Sequence, residues 1–173
     1  YKIEQNEKYD NIVPFNYYNI KRSEKILKDS FVISKHLIKS TRFLRLNGVV
    51  QALYIHLNAD ADDFGIVDVL ATMRQTNASE QDLLTLISVG LITMLDQKDL
   101  IVYINDWNLN NNNRDVRFIK VSRHLALLAE KLPNQEVMLA VINDKGKKSK
   151  KICTALEACL LYTSPSPRDV EES

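Results

Sequence analysis

The eight residues Asn58-Ala59-Asp60-Ala61-Asp62-Asp63-Phe64-Gly65, NADADDFG, decide how the chain is divided. Ahead of them Val50, Leu53, Tyr54 and Leu57 recur at i, i+3, i+4 and i+7, one apolar face of a helix. Behind them Ile66 and Val67 open a short β-branched run, a strand. The acids therefore leave the last turn of a helix, and Gly65 permits the sharp change of direction into the strand.

Two sharper readings of the stretch fail on spacing. A calcium loop needs oxygen ligands at its first, third and fifth positions, glycine at the sixth and glutamate at the twelfth. Counted from Asn58, those last two positions fall on Asp63 and Val69; counted from Asp60, Phe64 takes a ligand position and Ala71 the glutamate's. The triplet Asp63-Phe64-Gly65 stands without the glycine-rich and catalytic loops that give it meaning in a kinase. The expectation is a turn without a metal, its acids at most a contact surface.

Outward from the turn, ISKHLIKSTRFLRL predicts a short helix and its exit, burying Ile33, Leu37, Ile38 and Leu44. Asn47 and Gly48 suit the start of the next helix. After the strand, DVLATMRQTNA predicts a helix capped by Asp68, with Val69, Leu70 and Met73 inward. SEQDLLTLISVG predicts a third, with Ser79 and Asp82 as a capping box, Leu83, Leu86 and Ile87 buried, and Gly90 as the left-handed residue after its end. LITML and LIVYI form a hairpin with its tip at Asp96 to Asp99. The asparagine-rich NDWNLNNNNRD reads as loop, and SRHLALLAEKL as a last helix stopped by Pro133.

Helix, strand, helix, helix and hairpin in that order predict a mainly α fold with a small β-hairpin, a winged helix-turn-helix. The expected organisation is an N-terminal extension over residues 1 to 30, partly helical at Ser23 to Lys28, a winged-helix domain over 31 to 132, and a basic linker over 133 to 158. Cys159 to Asp169, CLLYTSPSPRD, resembles a translated sequencing adapter, so residues 159 to 173 are expected to be adapter-derived. With Tyr1 in place of a starting methionine, the chain is expected to be a fragment, and the adapter-like tail implies that the natural protein continues beyond Ala158 with a part that is missing here.

Composition narrows the function classes. A chain of 173 residues with 45% hydrophobic content and a mean hydropathy of −0.22 reads as a globular protein, and the absence of cysteines before Cys153 fits a cytoplasmic one. A formal charge of +1 gives no global pull toward nucleic acid, and no run of about 18 apolar residues predicts a membrane span. Cys153 and Cys159, with His124 the nearest histidine, make neither a disulfide framework nor a metal site. No nucleophile, base and orienting group fall in recognisable spacing, and no glycine loop cradles phosphate; the expectation is no enzyme and no cofactor.

Phe43 to Asp68, FLRLNGVVQALYIHLNADADDFGIVD, resembles the N-terminal domain of phage replisome organisers, relatives of the DnaD-type replication-initiation proteins. Gln51, Ala52, Leu53, Tyr54, His56, Leu57, Ala61, Asp62, Asp63 and Gly65 stand in the matching positions. Farther on, LLTLISVGLI and VYINDWNLNN match its helix and hairpin through Asp106, Trp107 and Asn110, with Arg117 and Ser122 as looser counterparts. The likeness runs from Ile33 to Leu132. It departs at Asn105-Asp106, where the family more often has lysine and histidine, and at the irregular RDVRF. The resemblance implies a phage or prophage replication-initiation protein that self-associates, contacts DNA at an origin and meets the helicase-loading machinery of a bacterial host. Gln51, Tyr54, Asp62, Asp63, Gly65 and Trp107 would serve it structurally. His56, on its helix, reads by itself as a core-edge residue rather than a ligand.

The alternatives are a winged-helix transcription regulator and an oligomerisation scaffold without DNA. Against the regulator, the third helix carries Glu80 and Asp82 and no cation, unfavourable before a phosphate lattice. Eleven basic residues balance eleven acidic ones between Phe31 and Leu132. The cations that do cluster are the candidate DNA contacts: Arg114, Arg117, Lys120 and Arg123 after the hairpin, and Lys145, Lys147, Lys148, Lys150 and Lys151 in the linker, binding phosphate without sequence preference. Trp107 is expected to pack rather than to stack a base, and Asn110 to Asn113 to be loop.

Overall fold

The computed structural model describes residues 30 to 163. The expected N-terminal extension and its helix at Ser23 to Lys28 lie outside the described residues, Ser30 apart, as do residues 164 to 173.

Two four-residue helices, α1 (Lys35–Ile38) and α2 (Thr41–Leu44), stand where one was expected. Ser40 divides them: its hydroxyl donates to the Leu37 carbonyl at 2.6 Å and accepts from the Phe43 amide at 3.2 Å, capping α2. The break turns Phe43 and Leu46 into the core and leaves Leu44 61% exposed. Helix α3 (Gly48–Asp60) begins at Asn47, whose side chain accepts from the Val50 amide, and it buries Val50, Leu53, Tyr54 and Leu57 as their spacing predicts.

Strand β1 (Ile66–Asp68) leads into α4 (Val69–Thr76), capped by Asp68. Val69 and Met73 point inward, but Leu70 is 47% exposed and Thr72 takes its place. A buried hydroxyl needs a partner, and Thr72 has one: it donates to Asp60 Oδ2, at the end of α3, at 2.6 Å. Helix α5 (Glu80–Ser88) opens with the capping box of Ser79 and Asp82, and Gly90 beyond its end has φ +73°.

Strands β2 (Ile92–Asp96) and β3 (Ile101–Ile104) form the expected hairpin. The Asp96 carboxylate holds its tip by accepting from the amides of Lys98 and Asp99 at 2.8 and 3.1 Å. Strand β1 pairs antiparallel with β3, Ile66 opposite Tyr103 and Asp68 opposite Ile101, so the sheet runs β1-β3-β2 with the wholly buried β3 in the centre.

The rest departs from expectation. The asparagine-rich segment holds helix α6 (Trp107–Asn111), followed by a 3-10 turn (Val116–Phe118) and α7 (Leu125–Lys131). Helix α7 is not the last element. The stretch expected as a linker folds into a second antiparallel hairpin, β4 (Glu136–Ile142) with β5 (Lys148–Thr154), and then α8 (Ala155–Thr163). Val137, Leu139, Cys153, Ala155 and Ala158 are buried in the same core as the preceding elements. Helix α8 includes the first adapter-like residues, Cys159 to Thr163, but its deeply buried positions, Ala155 and Ala158, precede them. The described chain is thus a mixed α/β fold, eight α-helices and two small antiparallel sheets, rather than a mainly α one. No helix among the described residues is long and apolar enough to cross a membrane.

Candidate nucleic-acid interface

The acids of the turn between α3 and β1 face inward, onto the segment after the first hairpin. Asp62 Oδ1 accepts from the amides of Phe64 and Ile66 at 2.9 and 3.0 Å, closing the turn on itself. Its other oxygen accepts from the Ser122 hydroxyl. Asp63 accepts from the Lys120 amide at 2.7 Å and pairs with the Arg114 guanidinium at 2.6 Å. The Asp63 carbonyl accepts from the Trp107 indole at 3.1 Å. One turn therefore holds four positions between Trp107 and Ser122 (residues 107, 114, 120 and 122). Neither spacing nor charge could show it, because the partners lie more than 40 residues away.

Gly65 and Trp107 complete the arrangement. Gly65 has φ +80°, and a Cβ there would stand 2.4 Å from Trp107 Cγ. Trp107 is 2% exposed, a packing residue as expected. Gln51 ties α3 to the exit of α2 by donating to the carbonyls of Phe43 and Leu46. Tyr54 packs edge-on against Phe43, and burial pushes its phenol up to about 12. His56 is exposed on α3.

The candidate cations divide into two sets. The Arg114 guanidinium is held by Asp63 and lies over the Trp107 ring, 5.5 Å from its centroid. Arg117 pairs with Asp115 at 2.7 Å and lies over Phe118. Its guanidinium holds the Asp115 carboxyl down to about 2. The Arg123 Nε donates to His124 Nε2 at 2.9 Å, and Lys120 contributes its backbone to Asp63 while the residue stays exposed. This first set is spent largely on internal contacts.

The second set is not. Lys145, Lys147, Lys148, Lys150 and Lys151 are all exposed, on the turn between β4 and β5 and along β5. Asn143 shapes that turn, its side chain accepting from the amides of Lys145 and Lys147, with Gly146 at φ +70°. Cross-strand pairing places Lys148 opposite Ile142, Lys150 opposite Ala140 and Ile152 opposite Met138. Alternation then sets Lys148, Lys150 and Ile152 on one face of the ribbon. Lys150 Nζ donates to the Asn112 carbonyl at 3.2 Å, fixing that face beside α6.

Between this face and α6 lies an open groove of about 590 Å³. Asn108, Asn112, Asn134 and Gln135 line it together with Met138 and Ile152. Glu136 also lines it and lends its backbone carbonyl to the side-chain amides of Asn108 and Gln135.

The chain matches no family model, no curated protein and no solved structure. Its chemistry rests on its own residues.

What the sequence missed is the ribbon and the groove. A lysine run looks the same in a linker and in a strand, and the groove joins residues 105 to 112 to residues 134 to 152. Helix α5 presents Glu80, Gln81, Leu84 and Ser88 to solvent and no cation. Asp82 is committed to its own cap, where the amide and hydroxyl of Ser79 hold its carboxyl low.

Proposed function

We propose that this is a replication-initiation protein of the phage replisome-organiser kind, with a winged-helix core that assembles with copies of itself and a lysine-bearing ribbon that contacts DNA. The winged-helix reading is supported by the order helix, β1, α4, α5, β2, β3 and by the strand order β1-β3-β2. The observation that carries the DNA contact is the group of five exposed lysines, Lys145 and Lys147 in the turn and Lys148, Lys150 and Lys151 on β5, of a hairpin packed into the core. Held on a strand rather than a free tail, such cations meet successive phosphates with less ordering cost and without reading sequence. Helix α5 lacks the cations a major-groove reader needs, which favours an origin-assembly role over a transcription regulator. Exposed Leu44, Leu70 and Leu84, on α2, α4 and α5, are among the apolar positions available for self-association.

The test is light scattering of the full chain together with binding to duplexes of unrelated sequence across a salt series. The expected result is concentration-dependent self-association, with similar affinities for all duplexes that fall steeply with salt. Tight binding of one duplex by a monomer or simple dimer would turn the assignment to a transcription regulator.

A further inference from the structure

The lysine row and the amide-lined groove lie on one continuous face. From Ile152, in the groove lining, the alternate positions of β5 are Lys150 and then Lys148, each step about 6.6 Å along the strand. Lys150 uses one of its three N–H donors on Asn112 and keeps two. Within the groove the amides are unequally engaged. Asn108 and Gln135 donate to Glu136, whereas the carboxamides of Asn112 and Asn134 make no hydrogen bond among the described residues. The groove's own lining is therefore neutral to acidic, with apolar Met138 and Ile152 and two uncommitted amides, in the volume range of about 300–1,000 Å³ typical of small-ligand sites. The cations stand beside it, Lys150 against the Asn112 edge and Lys148 two residues farther along β5.

We infer that this face binds a single-stranded nucleic acid, its phosphates on Lys148 and Lys150 and an unstacked base lying on Met138 and Ile152 with its edge against Asn112 and Asn134. The charge order favours that occupant over an acidic peptide, since Glu136 repels anions where the base would sit and the lysines attract them two residues away. Only an unpaired base can enter, because in a duplex its edge is occupied and its faces are stacked. An amide offers one acceptor and two donors, and its best bidentate match is adenine. The inference rests on reading the ribbon as a DNA contact and adds the kind of strand it takes: one already opened.

The experiment is fluorescence anisotropy of the full chain with oligodeoxyadenylate, an abasic strand of equal length, oligoriboadenylate and a duplex, across a salt series. The parent chain is expected to bind oligodeoxyadenylate at least about fivefold more tightly than the abasic strand, the lower bound for one bidentate base contact. Asn112→Ala with Asn134→Ala should erase that difference and leave the salt slope and the duplex affinity unchanged. Lys148→Glu with Lys150→Glu should lower the single-strand salt slope by about 1.4, two phosphate contacts at roughly 0.7 each. Circular-dichroism melts of both variants should match the parent, as expected of exposed positions. Whichever adenylate binds more tightly, deoxyribose or ribose, identifies the natural strand. Equal affinity for adenylate and abasic strands, with duplex binding and self-association intact, overturns the groove and leaves the wider reading standing. Failure to bind any nucleic acid overturns both.

Discussion

Trp107 fills the space that a side chain on Gly65 would need. The indole Cγ lies 2.4 Å from where a Cβ would be built, and the Gly65 backbone is left-handed at φ +80°. The strand entry and the start of α6 are thus locked by one contact, between residues that spacing alone does not connect.

Gly65→Ala should therefore be among the most damaging small substitutions in the chain. Left-handed strain costs about 1–3 kcal/mol and overpacking against an immobile ring about 1–3 kcal/mol more. Urea denaturation should show a loss of about 2–6 kcal/mol; a loss under about 1 kcal/mol would mean that Trp107 does not sit against the turn.

Asp63 and Arg114 should be coupled in energy. Their charged atoms lie 2.6 Å apart with only 14% and 21% of the side chains exposed, and Arg114 Nη1 is buried without another partner. Removing one partner strands the other, so Asp63→Ala and Arg114→Ala should each cost about 2–4 kcal/mol, while the double variant costs less than their sum. A double-mutant cycle in urea should give a coupling above about 1 kcal/mol; strict additivity would show that the pair is not formed.

Stability should fall with acid in a defined window. Folding lowers the carboxyl of Asp82 through the Ser79 amide and hydroxyl, and that of Asp115 to about 2 through Arg117. A carboxylate whose folded pKa is depressed contributes stability that is present above its unfolded value, near 3.8, and lost as pH falls through the folded one. Denaturation midpoints should hold above about pH 5 and decline toward pH 2. Ser79→Ala should cost about 1 kcal/mol at neutral pH and flatten that decline, since it removes half of the cap. An unchanged slope in the variant would remove Asp82 from the account.

The second hairpin should behave as part of the domain. Leu139 is 1% exposed at the middle of β4. Leu139→Ala should cost about 2–5 kcal/mol, where the same change in a solvated linker costs nothing measurable. Amide exchange should place β4 and β5 with the slow class of β2 and β3. Rapid exchange there, with a silent Leu139→Ala, would return the stretch to the linker that its lysines first implied.

The difference between what was legible in the sequence and what was not follows from the range of the interactions. The Ser79–Asp82 box, the Asn47 cap, Gly90 and the face of Val50, Leu53, Tyr54 and Leu57 depend on residues within one or two turns of each other, and all stand as read. Thr72 replaced Leu70 inside because Asp60, on another helix, accepts its hydroxyl. Asparagine is a poor helix former, yet residues 107 to 111 are helical because Trp107 is packed under Gly65 and Asn111 both donates to the Trp107 carbonyl and accepts from the Val32 amide. In β5, the sequence Lys-Ser-Lys-Lys-Ile-Cys-Thr has no strand alternation of its own. Its partner EVMLAVI supplies nearly all the apolar surface. The candidate lysines were visible; the face that orders them, and the amides beside it, appear only once β4 and β5 are paired.

The most direct test of the central claim is the salt dependence of duplex binding by the full chain against a Lys147→Glu, Lys148→Glu, Lys150→Glu variant, with self-association followed on the same samples. If the ribbon is the DNA contact, the variant loses more than about tenfold in affinity at moderate salt. Its slope falls by roughly 2.7, about 0.9 for each of three duplex phosphates, and its assembly is unchanged. Equal affinity and slope in the two chains would contradict the account and place any DNA contact elsewhere.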